Sequence, residues 1–293
     1  MVANADFWLT QFLNGLQLSM LLFLLSIGLT IIFGLMHFVN LAHGALYMVG
    51  AYAGVSAAAS LGNYWVALLT APLAVMLFGI ILYVLVIRRM RRAGPMNQVL
   101  VTFGLIFVIV DLVRIIWGDI ALGMEQPAIL SGPAEVLGVL YPAYRLFIIG
   151  LGFAVMIALS LVLSRTQIGA MVRAGVENGE MVEALGYRIR RLFLMVFMAG
   201  SALAGLGGVM WGLYQETITA HMGQEIMVLV FIVVIIGGLG SVEGCFIGAL
   251  LVGLLSNYTA FLAPKVALVS TIGLMVVILM WRPQGLYPVV KAK

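Results

Sequence analysis

Long apolar runs set the rhythm of this chain. Residues 7–36, 41–61, 64–87, 97–118, 144–164, 191–213, 225–239, 245–262 and 266–282 are mostly apolar, and hydrophilic positions gather in the gaps between them. A stretch such as VALLTAPLAVMLFGIILYVLVI, 66–87, has no polar face and no period-two alternation. About 20 helical residues cross a hydrocarbon core of roughly 30 Å. In lipid each backbone N–H and C=O must find its partner inside the segment, which leaves helices or closed barrels. A barrel would show short alternating strands. The pattern predicts an all-α, polytopic membrane helix bundle with eight or nine transmembrane helices.

Composition agrees. Of 293 residues 64% are hydrophobic and 9% are charged, against about 25% charged in soluble proteins. Such a chain has room for eight to ten passes and no separate soluble domain, so residues 1–293 are expected to form one transmembrane domain. The formal charge of +4 follows from sidedness and implies no nucleic acid. All but Arg114, Arg145 and Lys265 of the 15 basic residues fall in RRMRR (88–92), in 165–191, or in the tail with Arg282, Lys291 and Lys293. The positive-inside rule makes these three regions cytoplasmic. Asp119, Glu125, Glu135, Glu216 and Glu225 mark the outward loops. Parity then gives nine passes with the N-terminus outside. If HFVNLAHG, 37–44, does not separate two full spans, the count is eight and the N-terminus is inside. Asp6 without a nearby Lys or Arg is unlike the basic start of a cleavable signal, so the first helix is expected to stay.

Small residues recur every fourth position at Gly200, Ala204, Gly208 and Gly212, and at Gly240, Gly244 and Gly248. This spacing puts each set on one helix face, where missing side chains let helices approach, and both sets are assigned to packing. A lone Cys245 in an apolar run is likewise a packing residue, and neither metal nor cofactor is expected. WRPQG, 281–285, is an interfacial anchor with a helix-stopping Pro283. FGLMHFVNLAHGALYMVG and IGGLGSVEGCFIGALLVG share a polar break before a Gly-rich run, a faint sign of two related halves.

Polar groups at membrane depth are costly and mark partners, water or substrate. Asn40 suits the N-cap of a helix starting at Leu41, an end that attracts anions. His37 and His43 read as turn or boundary residues bonded to neighbouring helices. Asp111 and Arg114, three apart, can pair on one helix face; a structural ion pair near the outer interface and part of an outer gate are both open. Asn40, His43, Asp111 and Arg114 are the candidates for the translocation path.

The segment 165–191 is too charged for lipid. Glu177, Glu180 and Glu183 line one side of a helical turn, while Val176, Met181, Val182, Ala184 and Leu185 are apolar. It reads as one or two short cytoplasmic helices, interrupted or capped at Gly179 and Gly186. An interfacial helix would carry basic residues toward anionic lipid. An acidic face instead favours a protein partner.

GLTIIFGLMHFVNLAHGALYMVGAY (28–52), RTQIGAMVRAGVENGEMVEALGY (165–187) and GGLGSVEGCFIGALLVG (237–253) resemble, in order and spacing, the membrane permease of branched-chain (hydrophobic) amino acid ABC transporters. The resemblance implies an importer permease in a bacterial inner membrane, with two ATPase subunits, a second homologous permease in a heterodimeric pore or else a copy of this chain, and an external solute-binding protein. It also implies a coupling helix near 174–186 that docks into the ATPase: Arg173, Glu177, Glu180, Met181, Glu183, Ala184, Leu185 and Gly186, with 183–186 a shortened Glu-Ala-Ala-Gly motif. Where many branched-chain members have Glu after NLAHG, this chain has Ala45. Related permeases serve urea, amides or aromatic acids, and the substrate stays open among these.

Function classes narrow accordingly. No G-x-x-x-x-G-K-[ST] phosphate loop occurs, so ATP energy must come from a partner. An ion-coupled carrier would need a deep ionisable residue, and Asp111 alone is available. A membrane enzyme is disfavoured by three scattered histidines and no nucleophile–base pattern.

Overall fold

The computed structural model describes residues 5–90 and 93–287. Among the described residues eight helices are long and apolar enough to cross a membrane: α1 (Ala5–Met36), α2 (His43–Leu61), α3 (Tyr64–Met90), α4 (Pro95–Trp117), α5 (Ala143–Arg165), α7 (Ile189–Gln215), α10 (Val242–Leu262), and a last one, Pro264–Trp281, whose α-helical part Ala267–Trp281 is α11. Between α5 and α7 lies α6 (Gln167–Ala184), and between α7 and α10 lie the short α8 (Met222–Glu225) and α9 (Met227–Gly237).

Helix ends follow local chemistry. Asn63 Oδ1 accepts from Trp65 N–H at 2.9 Å and starts α3, and Ser241 Oγ accepts from Gly244 N–H at 3.0 Å and starts α10. Both satisfy orphan N-terminal donors. Gly62, at φ 61°, ends α2 in the left-handed region. Near the end of α3 the backbone widens into a π-helical stretch, Tyr83–Ile87.

At the centre stands α1, flanked by α10, α7, α5 and α9, while α2 and α3 pack on α7. Small residues set these contacts. An added Cβ on Gly200 would lie 2.8 Å from Gly28 O, and one on Gly208 would collide with Tyr47 O. Gly207 meets Leu24 and Leu25 as Gly200 meets Gly28, so α1 and α7 run antiparallel. Ala204 is fully buried. Gly244 and Gly248 face Gly237 and Val233 of α9. Gly240 departs from the expected stripe: it sits before α10, at φ 89°, in the turn where it meets Gly34 of α1. A glycine in that conformation closes a turn and cannot share a helix face with Gly244.

Basic segments share one end. Groove residues there come from the end of α1, from α6 and from the start of α7, and a second groove joins α5, α6, α10 and Arg282. Arg91, Arg92, Lys291 and Lys293 lie outside the described residues. At the opposite end a hairpin, β2 (Pro133–Val136) with β3 (Val139–Pro142), rests on α1: Tyr141 Oη and Arg145 NH1 both donate to Asn14 Oδ1, at 2.9 and 2.7 Å. Burial pushes the Tyr141 hydroxyl up to about 12, offset in part by Arg145, so it stays a proton donor at neutral pH. A two-residue pairing of β1 (Leu122–Gly123) with β4 (Thr217–Ile218) completes this end.

Among the described residues the chain passes from one end of the bundle to the other nine times, eight times as a long helix and once as β4, coil, α8 and α9. HFVNLAHG does separate two full spans. By the positive-inside rule the basic end is cytoplasmic and the N-terminus lies outside. The expected span 225–239 begins a little earlier, at Met222, and carries one turn residue, Ile226, which keeps right-handed helical backbone. After α11 the chain folds back, and the N–H groups of Leu286 and Tyr287 donate to Ile236 O and Gly237 O, satisfying terminal carbonyls of α9. The residues that follow WRPQG thus cap α9, with Gly285 packed against Gly238. The two echoing breaks are neighbours, touching at Gly34 and Gly240, but one is a four-residue turn and the other a six-residue coil.

Candidate functional site

Two crossings are discontinuous, and their helical parts begin deep in the bundle. Residues 37–42 leave α1 without helical structure. Leu41 N–H donates to Thr102 Oγ1 at 3.2 Å, while the Thr102 hydroxyl donates to Gln98 O at 2.9 Å. Thr102 lies about 10 Å from the inner end of α4 at 1.5 Å per residue. A coil at such depth is tolerated because protein surrounds it and its polar groups find partners. Then α2 starts at the level of Leu25, whose carbonyl is 3.2 Å from His43 Nε2. In the seventh crossing, built from β4, coil, α8 and α9, α8 starts at the same depth and runs inward: Gly44 and Gly223 meet back to back, a Cβ on either lying within 2.5–2.6 Å of the other's carbonyl oxygen. Tyr47 Oη donates to Met222 O and ties the two starts together.

Beside this crossing is an apolar cavity of about 310 Å³. Gly44, Ala45 and Met48 of α2 form one wall, Phe103, Phe107 and Val110 of α4 another, and Gly223 and Gln224 of α8 a third. Continuing outward on the same face of α4, at helical spacing from Phe107 and Val110, are Asp111 and Arg114. Arg114 NH1 is 3.7 Å from Asp111 Oδ1, its Nε is 3.0 Å from Asp119 Oδ1, and its NH2 is 2.7 Å from His221 Nε2. The Nε contact is Coulombic, since the N–H points off the acceptor and has no hydrogen bond. Arginine only donates, so the His221 contact requires an unprotonated Nε2.

Exposure shows what this face meets. Asp111 is 68% exposed in the isolated chain although it lies within a membrane-crossing helix. Left in lipid, such a side chain costs about 2.5–3.5 kcal/mol on insertion scales. Leu69, Leu73, Leu77 and Ile81 of α3, in contrast, form an exposed stripe without charge suited to lipid. The α4 face with Asp111 and Arg114 is covered by water or by another protein.

The candidates from sequence fare unevenly. Asp111 and Arg114 border the cavity. His43 is fully buried and turned to α1, so it holds helices together. Asn40 is corrected as a cap: the helix starts two residues later than Leu41, at His43, with Ala42 before it and no side-chain cap. Its buried Oδ1 has no hydrogen-bond partner. Glu225, assigned to an outward loop, is in α8 beside the cavity-lining Gln224, with an exposed side chain. His221 was not singled out. His221 and Glu225 both stand at the N-terminal side of an apolar run, a position whose sequence carries no sign of the contacts that the fold gives them.

At the cytoplasmic end α6 is a single amphipathic helix. Gly179 does not interrupt it; the missing side chain admits Ile189 Cδ1. Val172, Gly175, Val176, Gly179 and Val182 face the bundle, and Arg173, Glu177, Met181, Ala184 and Leu185 form the exposed stripe, with Glu183 exposed beside it. The Glu180 side chain lies outside the described residues. Gly186, at φ 88°, ends the helix: its N–H donates to Glu183 O and Tyr187 N–H to Val182 O, a paired C-terminal lock. Leu185 and Tyr187 stand 70% and 53% exposed beyond it.

Comparison with known proteins places this geometry. The family model described as "Branched-chain amino acid transport system / permease component" matches residues 11–280. The chain belongs to this family. The BraD permease protein of a high-affinity branched-chain amino acid transport system in Pseudomonas aeruginosa is 26% identical, over 95% of this chain and 95% of its own. LivH of Escherichia coli (strain K12), a permease protein of a system of the same description, is 24% identical over 96% and 95%. LivM of that organism is 26% identical over 94% of this chain and 69% of its own length. No solved structure matches. As a member of this permease family the chain is a multi-pass transport subunit. The described residues bring together no group of three or more His, Cys, Asp or Glu fit for a metal.

Proposed function

We propose that this chain is the permease subunit of an ABC importer that moves branched-chain amino acids inward, driven by ATPase subunits docked on α6. The observation that carries the reading is the family match from residue 11 to 280, since it spans the broken crossings and α6 alike. Relatives whose printed names concern branched-chain amino acid transport support the substrate class. An apolar cavity next to charged groups suits such a solute.

In this reading two ATPases bind the cytoplasmic side of the assembled pore. A second permease faces the exposed α4 surface; the likeness to LivM as well as to LivH favours a heterologous pair. An external binding protein delivers solute to the acidic end. ATP binding favours one arrangement of the bundle through differential contacts at α6, and hydrolysis resets it. The stripe Arg173, Glu177, Met181, Ala184 and Leu185, with Glu180, Glu183 and Gly186, is the docking element. Its inner face is packed on the ends of α1 and α7, so a push on α6 reaches the inner end of both.

The test is reconstitution of the permease pair, ATPases and binding protein in vesicles, with uptake of L-leucine measured against a gradient. Uptake that needs ATP supports the reading. Uphill uptake by this polypeptide alone, or driven by a proton or sodium gradient, overturns it. Leu185→Asp or Glu183→Arg is expected to reduce ATPase co-purification and transport at least tenfold. Undiminished transport by both variants in an intact complex would remove α6 as the joint.

A further inference from the structure

We propose that the α2–α4–α8 cavity and the Arg114 cluster form one binding site for an aliphatic α-amino acid, with Arg114 taking the carboxylate, Asp111 the ammonium group, and the cavity the side chain. This rests on the importer reading above and names where, within the permease, its substrate is held.

Charge and geometry carry the argument. Arg114 faces two carboxylates, Asp111 and Asp119, and an unprotonated Nε2 of His221, so the cluster has one negative charge in excess of its guanidinium. It is not closed on itself. At 3.7 Å Asp111 is beyond hydrogen-bond reach of NH1, Nε is buried against Asp119, and among the described residues the hydrogen bond of the guanidinium goes from NH2 to His221, which leaves the NH1 donors unbonded. Donors are left for an incoming carboxylate, whose planar oxygens match a guanidinium edge. In an α-amino acid the ammonium group sits one carbon from the carboxylate, and Asp111 is the acid one helical turn below Arg114 on the same face. The side chain of such a zwitterion then extends inward along α4. Val110 and Phe107, one to two turns below Arg114, line the cavity there.

Size and polarity fit the same solute. Ligand pockets begin at about 300 Å³, so a cavity of about 310 Å³ admits a small molecule. Its named walls are aliphatic, aromatic and glycine residues apart from Gln224, which suits a branched aliphatic chain and leaves a urea or amide a single polar side chain to pair with. Ala45, buried in the wall, fixes how long that chain can be. The cavity opens on the side where Phe103 and Phe107 are half exposed, which is the face that Asp111 excludes from lipid.

The experiment measures equilibrium binding of radiolabelled L-leucine to the assembled transporter in nanodiscs, with no binding protein present. Saturable binding is expected, competed by L-isoleucine but not by isoamylamine or isocaproate, which each lack one of the two charges. Arg114→Gln and Asp111→Asn should each weaken leucine at least tenfold. Ala45→Leu, which narrows the cavity and leaves the charges, should weaken leucine at least tenfold relative to L-alanine. If Arg114→Gln does not assemble, Asp111→Asn and Ala45→Leu decide. No saturable binding to the wild type, or equal affinity in wild type and these variants, overturns the site. ATP-driven leucine uptake by the same preparation with its binding protein separates the two readings: uptake with unaltered binding overturns this site alone. Absence of uptake of every branched-chain amino acid overturns the importer reading instead.

Discussion

A single methyl group at Gly208 would collide with the carbonyl oxygen of Tyr47, and backbone cannot move aside as a flexible side chain can. Overpacking of a tight core costs about 1–3 kcal/mol, or more where backbone must shift. Gly208→Val is therefore expected to lower the melting temperature of the purified protein in detergent sharply, while Gly104→Val, where an added Cβ meets nothing, changes it little. Thr102 offers a second residue-scale test. Its hydroxyl accepts from Leu41 N–H inside the membrane-depth coil. Thr102→Val keeps the shape and orphans that donor, a loss of about 1–3 kcal/mol, whereas Thr102→Ser keeps the acceptor and most of the stability. Equal melting of the two variants would show that the coil does not depend on this bond.

Among the elements, α4 is the one whose two ends of chemistry disagree with a lipid-facing role. Phe107 and Asp111 share a face, and the charge dictates that the face is wet or protein-covered. Cysteine scanning separates this from the lipid stripe of α3. Phe107→Cys is expected to react with a membrane-impermeant thiol reagent in the assembled transporter, or to be shielded by the partner permease and react when it is removed. Leu69→Cys, 69% exposed on α3, should stay unreactive in both. The native Cys245 is fully buried and should give no background. Reaction at Leu69 equal to that at Phe107 would contradict the assignment. The element α6 was readable as a cytoplasmic arm from its charges. That it is one helix, not two, required Ile189 to fill the space that Gly179 leaves.

For the whole molecule the nine crossings fix sidedness. Glu135→Cys in the outer hairpin and Glu177→Cys in α6 are expected to label from opposite faces of oriented vesicles, the former from outside and the latter only after permeabilisation. Labelling of both from one face would break the topology and with it the importer reading, since ATPases can grip only a cytoplasmic arm.

Hydropathy, charge placement and the quoted motifs determined the class of protein, the helical crossings and the side each loop faces, because lipid sorts residues by transfer free energy and each run reports that locally. They also marked Asp111 and Arg114, since a charge inside an apolar run stands out wherever its neighbours lie. What only the tertiary structure decided is where two crossings are broken. Residues 225–239 are as apolar as a helix needs, yet α8 starts at His221's neighbour because Gly44 and Gly223 must meet and Tyr47 holds Met222. Asn40 looked like a cap, but the coil that contains it is anchored by Thr102, some sixty residues away in sequence. Glu225, His221 and the cavity belong to that same class of fact: contact between segments far apart in the chain leaves no periodic trace in either one.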